Sequence, residues 1–250
     1  IGAWFFKLFH PQVKLVATYH QARRGWPFDL INQLFIHRWD AIITDSLAAK
    51  QDLIRRFNLL PHKITVIPGG APPDLQPIKR PRRKIITLLF MGLLIPRKNP
   101  LFLIKVLQKL ILPVKLIFCG DGPLKSKLTT DAIIHPPVFG KAKQQLYSQA
   151  DIFVHPALHE GLPLVVLEAM ACGLPVVISA GFSAAEVIDH GKTGYLAKTN
   201  DTKDWVDKLT LLINNAALRH RFGRAARAKQ LRQFSWAKAA QAHRHLFKSL

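Results

Sequence analysis

His155-Pro156-Ala157-Leu158-His159-Glu160-Gly161-Leu162-Pro163-Leu164-Val165-Val166-Leu167-Glu168-Ala169-Met170-Ala171-Cys172-Gly173-Leu174-Pro175 decides what kind of sheet this chain builds. Residues 152–155 ahead of the loop and 176–179 behind it are β-prone runs. Between them Pro163 suits the first turn of a helix over 163–172, because the N–H it lacks is one a helix leaves unpaired anyway. Strand, loop, helix and strand in so short a span is the unit of a parallel sheet. Glu160 and Gly161 fall in the loop at the strand's carboxyl end, and Glu168 falls inside the helix among Val165, Leu167 and Met170. An ionised carboxylate buried there costs several kcal/mol without donors. Either protein or ligand groups donate to Glu168, or the side chain reaches solvent. The N–H groups at the helix start can take phosphate oxygens, with the helix dipole adding to the attraction.

The same alternation extends outward. Upstream, strand 85–91, helix 100–110, strand 114–119, a helix from 124 to about 131, a short strand at Val138-Phe139 and helix 142–149 lead into the central loop. Downstream come a short helix near 184–188 and, beyond Gly194-Tyr195-Leu196, helices to the end, broken at Phe234-Ser235, where Ser235 can cap the last one. Residues 85–234 are therefore predicted to form a doubly wound parallel α/β domain. Residues 71–84 hold four prolines (Pro72, Pro73, Pro77, Pro81) and the cluster Lys79-Arg80-Pro81-Arg82-Arg83-Lys84, which reads as a linker. Before it, strand 13–18, helix 28–38, strand 41–44, a helix capped by Ser46 and running to about 57, and strand 64–67 make part of another parallel-sheet domain over 1–70.

In such sheets ligands bind beyond the carboxyl ends of the strands. The loop after 85–91 carries Gly92, Arg97 and Lys98, two adjacent cations placed to hold a diphosphate or to sit as solvated charge. The loop Gly120-Asp121-Gly122-Pro123 either lets backbone approach a ligand or is a plain tight turn. It is neither a Walker loop nor a full dinucleotide fingerprint.

The chain has 250 residues and a formal charge of +21, with nine Lys or Arg and no Asp or Glu between Arg219 and Leu250. Nucleic acid, an anionic membrane, phosphorylated substrates or a solvated basic face all fit that charge. No recognition motif points to specific nucleic-acid binding. Cys119 and Cys172 sit in separate apolar runs, which predicts buried free thiols and a cytoplasmic location. The uncharged run 85–95 falls short of the ~20 residues a membrane span needs. No Asp-x-Asp pair or His/Cys cluster at ligand spacing is present, so a metal-independent reaction without cofactor is expected.

In combination, His159-Glu160-Gly161-Leu162-Pro163, seven residues between Glu160 and Glu168, Glu168-Ala169-Met170-Ala171-Cys172-Gly173-Leu174-Pro175-Val176-Val177, Cys119-Gly120-Asp121-Gly122-Pro123 and Pro96-Arg97-Lys98-Asn99 resemble the family-four retaining glycosyltransferases. The resemblance implies a GT-B fold of two Rossmann-like domains, the second binding a nucleotide-sugar donor and the first holding a glycan or glycolipid acceptor. It implies that Lys98 neutralises the donor diphosphate, Glu168 holds the ribose and Glu160 faces the transferred sugar. Gly161, Leu162, Pro163, Leu164 and Val165 would supply phosphate-facing backbone, and Val138 to Lys141 would flank the base. Gly92, Gly120 and Gly122 would line the donor side, and His20 would stand beside the reacting sugar. Two departures accompany the match. Leu93 stands where the family usually has an arginine, with Arg97 as the substitute, and the family's first strand and glycine-rich loop have no counterpart, so the N-terminal domain is expected to be incomplete.

The function expected on this basis is retaining transfer of a sugar from a nucleoside diphosphate to an acceptor hydroxyl, in bacterial envelope glycans such as lipopolysaccharide. The alternative is an inactive fragment or a nucleotide-sugar-binding module. The basic surface, with Trp4, Phe5, Phe6 and Phe9, suggests peripheral contact with an anionic membrane at its cytoplasmic face. The last helix, 235–250, is expected to pack back toward the first domain.

Overall fold

A computed structural model describes the chain apart from residues 1–5, 8, 21–27, 78–83, 129–131 and 182. Trp4, Phe5 and most of the basic cluster 79–84 therefore lie outside the described residues. The chain divides into two compact units, Ile1–Gly69 with Ala237–Leu250, and Gly70–Trp236. The first unit holds a parallel three-stranded sheet, β1 (Val16–Tyr19), β2 (Ala41–Thr44) and β3 (Ile64–Val66), in the order β1-β2-β3. Helices α1 (Phe28–Phe35) and α2 (Leu47–Phe57) connect the strands. Ser46 caps α2, its Oγ accepting from Ala49 N at 3.2 Å, and Leu53 and Phe57 on the inner face of α2 join Ile42 and Ile64 in a small core.

The second unit is built on β4 (Ile86–Met91), β5 (Val114–Cys119), β6 (Ala132–His135), β7 (Ile152–His155), β8 (Val176–Ser179) and β9 (Gly194–Ala197), all parallel, in the order β6-β5-β4-β7-β8-β9. Successive side chains of a strand point to opposite faces, and β4 feeds both cores accordingly. Ile86, Leu88 and Phe90 enter one apolar cluster, while Leu89 and Met91 enter the other. Helices α3 (Pro100–Lys109) and α7 (Thr202–Asn214) cover the first face, with Trp205 and Phe102 in edge contact. Helices α4 (Gly140–Gln149) and α5 (Leu164–Ala171) supply Leu146, Tyr147, Val166 and Met170 to the second. A short α6 (Ala184–Val187), then α8 (Ala216–Gln233) and α9 (Trp236–Ser249), complete the chain.

Three expectations change. The segment expected as a helix from 124 to about 131 is a single 3-10 turn, Lys125–Lys127, as far as it is described. The strand expected at Val138-Phe139 lies instead at Ala132–His135, where Ile133 and Ile134 pair with β5. Pro136 and Pro137 lack the N–H groups that would continue the ladder. Residues 71–77, read as linker, are built into the second unit: Ala71 bridges to Ser235, Leu75 is buried, and Arg227 donates to the carbonyl of Leu75 at 3.1 Å. Both cysteines are free and buried, and among the described residues no helix is long and apolar enough to cross a membrane.

Candidate functional site

In the second sheet β4 lies between β5 and β7, so the chain winds outward in opposite directions from the β4/β7 pair. Loops leaving the carboxyl ends of such a pair diverge and open a crevice. The loop after β4 starts at Gly92, whose φ is +148° and whose missing Cβ would have only Phe90 Cζ nearby, at 3.8 Å. Leu94 is anchored in the core while Leu93 is 57% exposed. Gly120 and Gly122 have another purpose than open access. A Cβ on Gly120 would lie 1.9 Å from the Gly92 carbonyl oxygen, and one on Gly122 would lie 2.6 Å from that of Leu94. The two loops pack backbone to backbone, with Leu94 N donating to Asp121 O at 2.8 Å.

Pro96–Lys98 forms a 3-10 turn that carries both cations to the loop after β7. Leu158 N donates to Arg97 O at 2.9 Å, and Arg97 Nη1 donates to His159 O at 3.1 Å. Lys98 Nζ pairs directly with Glu160 Oε1, and Arg97 Nη1 is 3.9 Å from Glu160 Oε2. Burial pushes the Glu160 carboxyl up, but His155 and the Lys98 ammonium outweigh it and leave the group below the usual carboxylate range. His155, at the end of β7, is fully buried between Phe90 and Phe153, with near-parallel rings. Burial lowers its pKa against the pull of Glu160, so its imidazole is neutral at pH 7.

Glu168 meets protein donors. Lys143 Nζ donates to Oε1 at 2.7 Å and Tyr147 Oη donates to Oε2 at 2.8 Å, so the side chain does not reach out to solvent. Burial, reinforced by the Glu168 carboxylate, raises the Tyr147 pKa well above its ordinary value, which keeps the phenol a donor. Lys143 and Tyr147 stand one turn apart on α4, a spacing that puts them on one face. That spacing was the available signal, although nothing in the sequence says which carboxylate they meet. Val138 packs partly against the core beside this pair, Gly140 starts α4 at φ +53° with open space at its Cβ position, and Lys141 is exposed. Gly161, Leu162 and Pro163 are buried, and α5 opens at Leu164, exposed, and Val165, half-buried.

His20 belongs to the first unit. It is exposed at the end of β1, with Nδ1 3.5 Å from the buried carboxylate of Asp45. Among the described residues no group of three His, Cys, Asp or Glu side chains could hold a metal ion.

Residues 74–229 match the glycosyl transferases group 1 family, and residues 1–75 match glycosyltransferase family 4. The chain belongs to the glycosyl transferases group 1 family. Among curated relatives of the family, the sulfoquinovosyl transferase of Arabidopsis thaliana is 35% identical over 150 residues, 57% of this chain and 29% of that protein. A D-inositol 3-phosphate glycosyltransferase of Corynebacterium aurimucosum is 27% identical over 84% of this chain and 57% of its own length. The chain thus spans 29% of one relative and 57% of the other. The solved structure of Anabaena HepE with UDP-glucose superposes with a TM-score of 0.87 at 18% identity, covering 98% of this chain and 75% of that one. Sucrose-phosphate synthase from Thermosynechococcus elongatus gives 0.83 at 20% identity, covering 99% and 72%. The fold is GT-B.

Proposed function

We propose that the chain transfers a sugar from a nucleoside diphosphate donor to an acceptor hydroxyl, with retention at the anomeric carbon and without a metal. The observation that carries this reading is the convergence of Lys98, Arg97, Glu160 and the start of α5 on the β4/β7 crevice. Breaking the bond between sugar and diphosphate leaves negative charge on the phosphate, and preorganised cations and N–H groups lower that barrier by about 3 kcal/mol per key donor. Lys98, Arg97 and the opening N–H groups of α5 fill that role. Glu168, fixed from one side by Lys143 and Tyr147, keeps lone pairs for ribose hydroxyls, Val138 to Lys141 flank the base, and Glu160 faces the sugar. His20, oriented by Asp45, serves the reacting sugar. The acceptor we propose is a bacterial envelope glycan or glycolipid, reached at an anionic membrane surface.

The binding half is tested by calorimetric titration of UDP, GDP and ADP into the wild-type chain and Glu168→Ala. At least one nucleotide should bind wild type, and the variant should bind it about tenfold or more weakly, the loss of a charge-assisted contact. Equal affinities would remove Glu168 from the site. A second reading, a nucleotide-sugar-binding module without turnover, is favoured by the exposed Leu93 where a further cation is expected. Release of free sugar from a radiolabelled donor separates the two, since a pure binder yields none.

A further inference from the structure

Ser179 at the end of β8 and Gly181 and Ser183 beyond it have no part in the reading above, yet they wall a small, partly open cavity with room for about one water-sized group. His155, Glu160, Pro163, Ser179, Gly181 and Ser183 are among its lining residues. Two of its polar side chains are buried without a partner. Neither ring nitrogen of His155, 0% exposed, makes a hydrogen bond, and neither does Ser179 Oγ, in a residue 4% exposed. His155 Nε2 comes within 3.5 Å of Glu160 Oε1 but lacks a hydrogen bond's alignment. Leaving such a group unmet costs about 1–3 kcal/mol, and folded proteins seldom tolerate it. Here His155 and Ser179 end neighbouring strands, with His155 in register with Ile178, so both orphans arrive at the same cavity. Ser183 adds a third hydroxyl, donating to the Glu160 carbonyl at 3.3 Å.

The chemistry of the wall selects its occupant. A neutral imidazole offers one donor and one acceptor, a serine hydroxyl offers both, and the Glu160 carboxylate only accepts. An anionic group would need donors alone and would meet Glu160 head on. A hydroxyl, which donates and accepts at once, satisfies every group present. We propose that this cavity seats a hydroxyl-bearing, uncharged edge of the donor's sugar, with Ser179 and His155 as specificity-determining contacts beside Glu160. The proposal rests on the donor reading above and adds to it a sugar contact separate from the diphosphate and ribose contacts. Loss of Ser179 Oγ should therefore weaken the sugar and spare the nucleotide.

The test is calorimetry on the full chain with UDP, GDP and ADP and with UDP-glucose, GDP-mannose and ADP-glucose, for wild type, Ser179→Ala and Ser179→Thr. Wild type should bind one of the sugar nucleotides more tightly than its parent diphosphate. In Ser179→Ala that advantage should shrink about tenfold while affinity for the diphosphate changes less than about twofold, as expected for one lost hydrogen bond to a buried group. Ser179→Thr, which keeps the hydroxyl, should retain most of the advantage. An advantage untouched in Ser179→Ala, or lost in step with diphosphate affinity, would mean the cavity holds only water and would overturn the proposal. Wild type binding a diphosphate with no gain from any attached sugar would overturn it alone. Wild type binding none of the six would overturn the donor reading as well.

Discussion

Asp45 stays protonated further up the pH scale than a surface aspartate. Burial lifts its carboxyl from 3.8 to about 6, against the pull of His20 and of the Ser46 hydroxyl 3.4 Å away. Because the folded pKa is the raised one, this group favours the fold fully below pH 3.8 and loses that contribution as pH rises through about 6. Asp45→Asn has no such loss. In urea unfolding the variant should gain on wild type steadily as pH rises from 3.8 to about 6, then hold a constant lead. A difference that stays flat across that window would show that Asp45 is not held out of water. Glu168 illustrates the opposite solution to the same problem: it is buried, but Lys143 and Tyr147 meet both of its oxygens. Its need for donors was legible in the sequence, because a glutamate amid apolar helix positions has few other ways to exist. The identity of those donors was not, since the sheet order brings α4 to α5.

At the scale of elements, the loops after β4 and β5 form one piece. Gly120 and Gly122 exist because two backbones touch there, so their replacement should disturb the crevice from outside it. Gly122→Ala puts a Cβ 2.6 Å from the Leu94 carbonyl oxygen at φ +149°, and Leu94 is locked in the core and cannot yield cheaply. We expect a destabilisation of about 2 kcal/mol or more from strain and overpacking. Gly140→Ala, at φ +53° with nothing within 4 Å, should cost only the left-handed penalty of about 1 kcal/mol. Scanning calorimetry that ranked the two equally would refute the loop contact. The alternating elements themselves were legible wherever β-branched runs alternated with helical spacing, as in β4, α3, β5 and β7. β6 is hard to see in the sequence because its four residues run directly into Pro136 and Pro137, a pair that reads as a turn. β9 opens on Gly194, a weak strand former, required because a Cβ would sit 2.3 Å from the Val176 carbonyl oxygen of the neighbouring strand. Glu160, Lys98 and Glu168 were legible as a motif. The orphaned pair His155 and Ser179 was not, because only the β7/β8 register unites them.

On the scale of the whole molecule, the charge of +21 is less available than composition suggests. Several cations near the C-terminus are committed within the fold. Arg219 Nη1 donates to the Leu212 and Ile213 carbonyls, closing the end of α7, and Arg227 Nη1 donates to Ala171 O at the end of α5. Lys229, 4% exposed, pairs with Asp189 at 2.7 Å. These three do fold work, at the negative ends of helices and, for buried Lys229, beside the exposed carboxylate of Asp189. Arg221, Arg224 and Arg232 on α8 are exposed and remain for an external anion, with exposed Leu231 among them. If the acceptor is met at an anionic membrane, this remainder sets the strength of the dock. Each cation near such a surface contributes about 1 kcal/mol, and the attraction fades beyond a Debye length of about 8 Å at physiological salt. Flotation with phosphatidylglycerol-containing vesicles should thus recover the chain at low salt and lose it as salt rises, while phosphatidylcholine vesicles recover little at any salt. Arg221→Ala combined with Arg224→Ala should lower recovery on the anionic vesicles, whereas Arg227→Ala should lower thermal stability and leave recovery of the folded fraction unchanged. Equal recovery on neutral and anionic vesicles would sink the electrostatic dock, and a loss confined to Arg227→Ala would assign the basic helix to the fold alone.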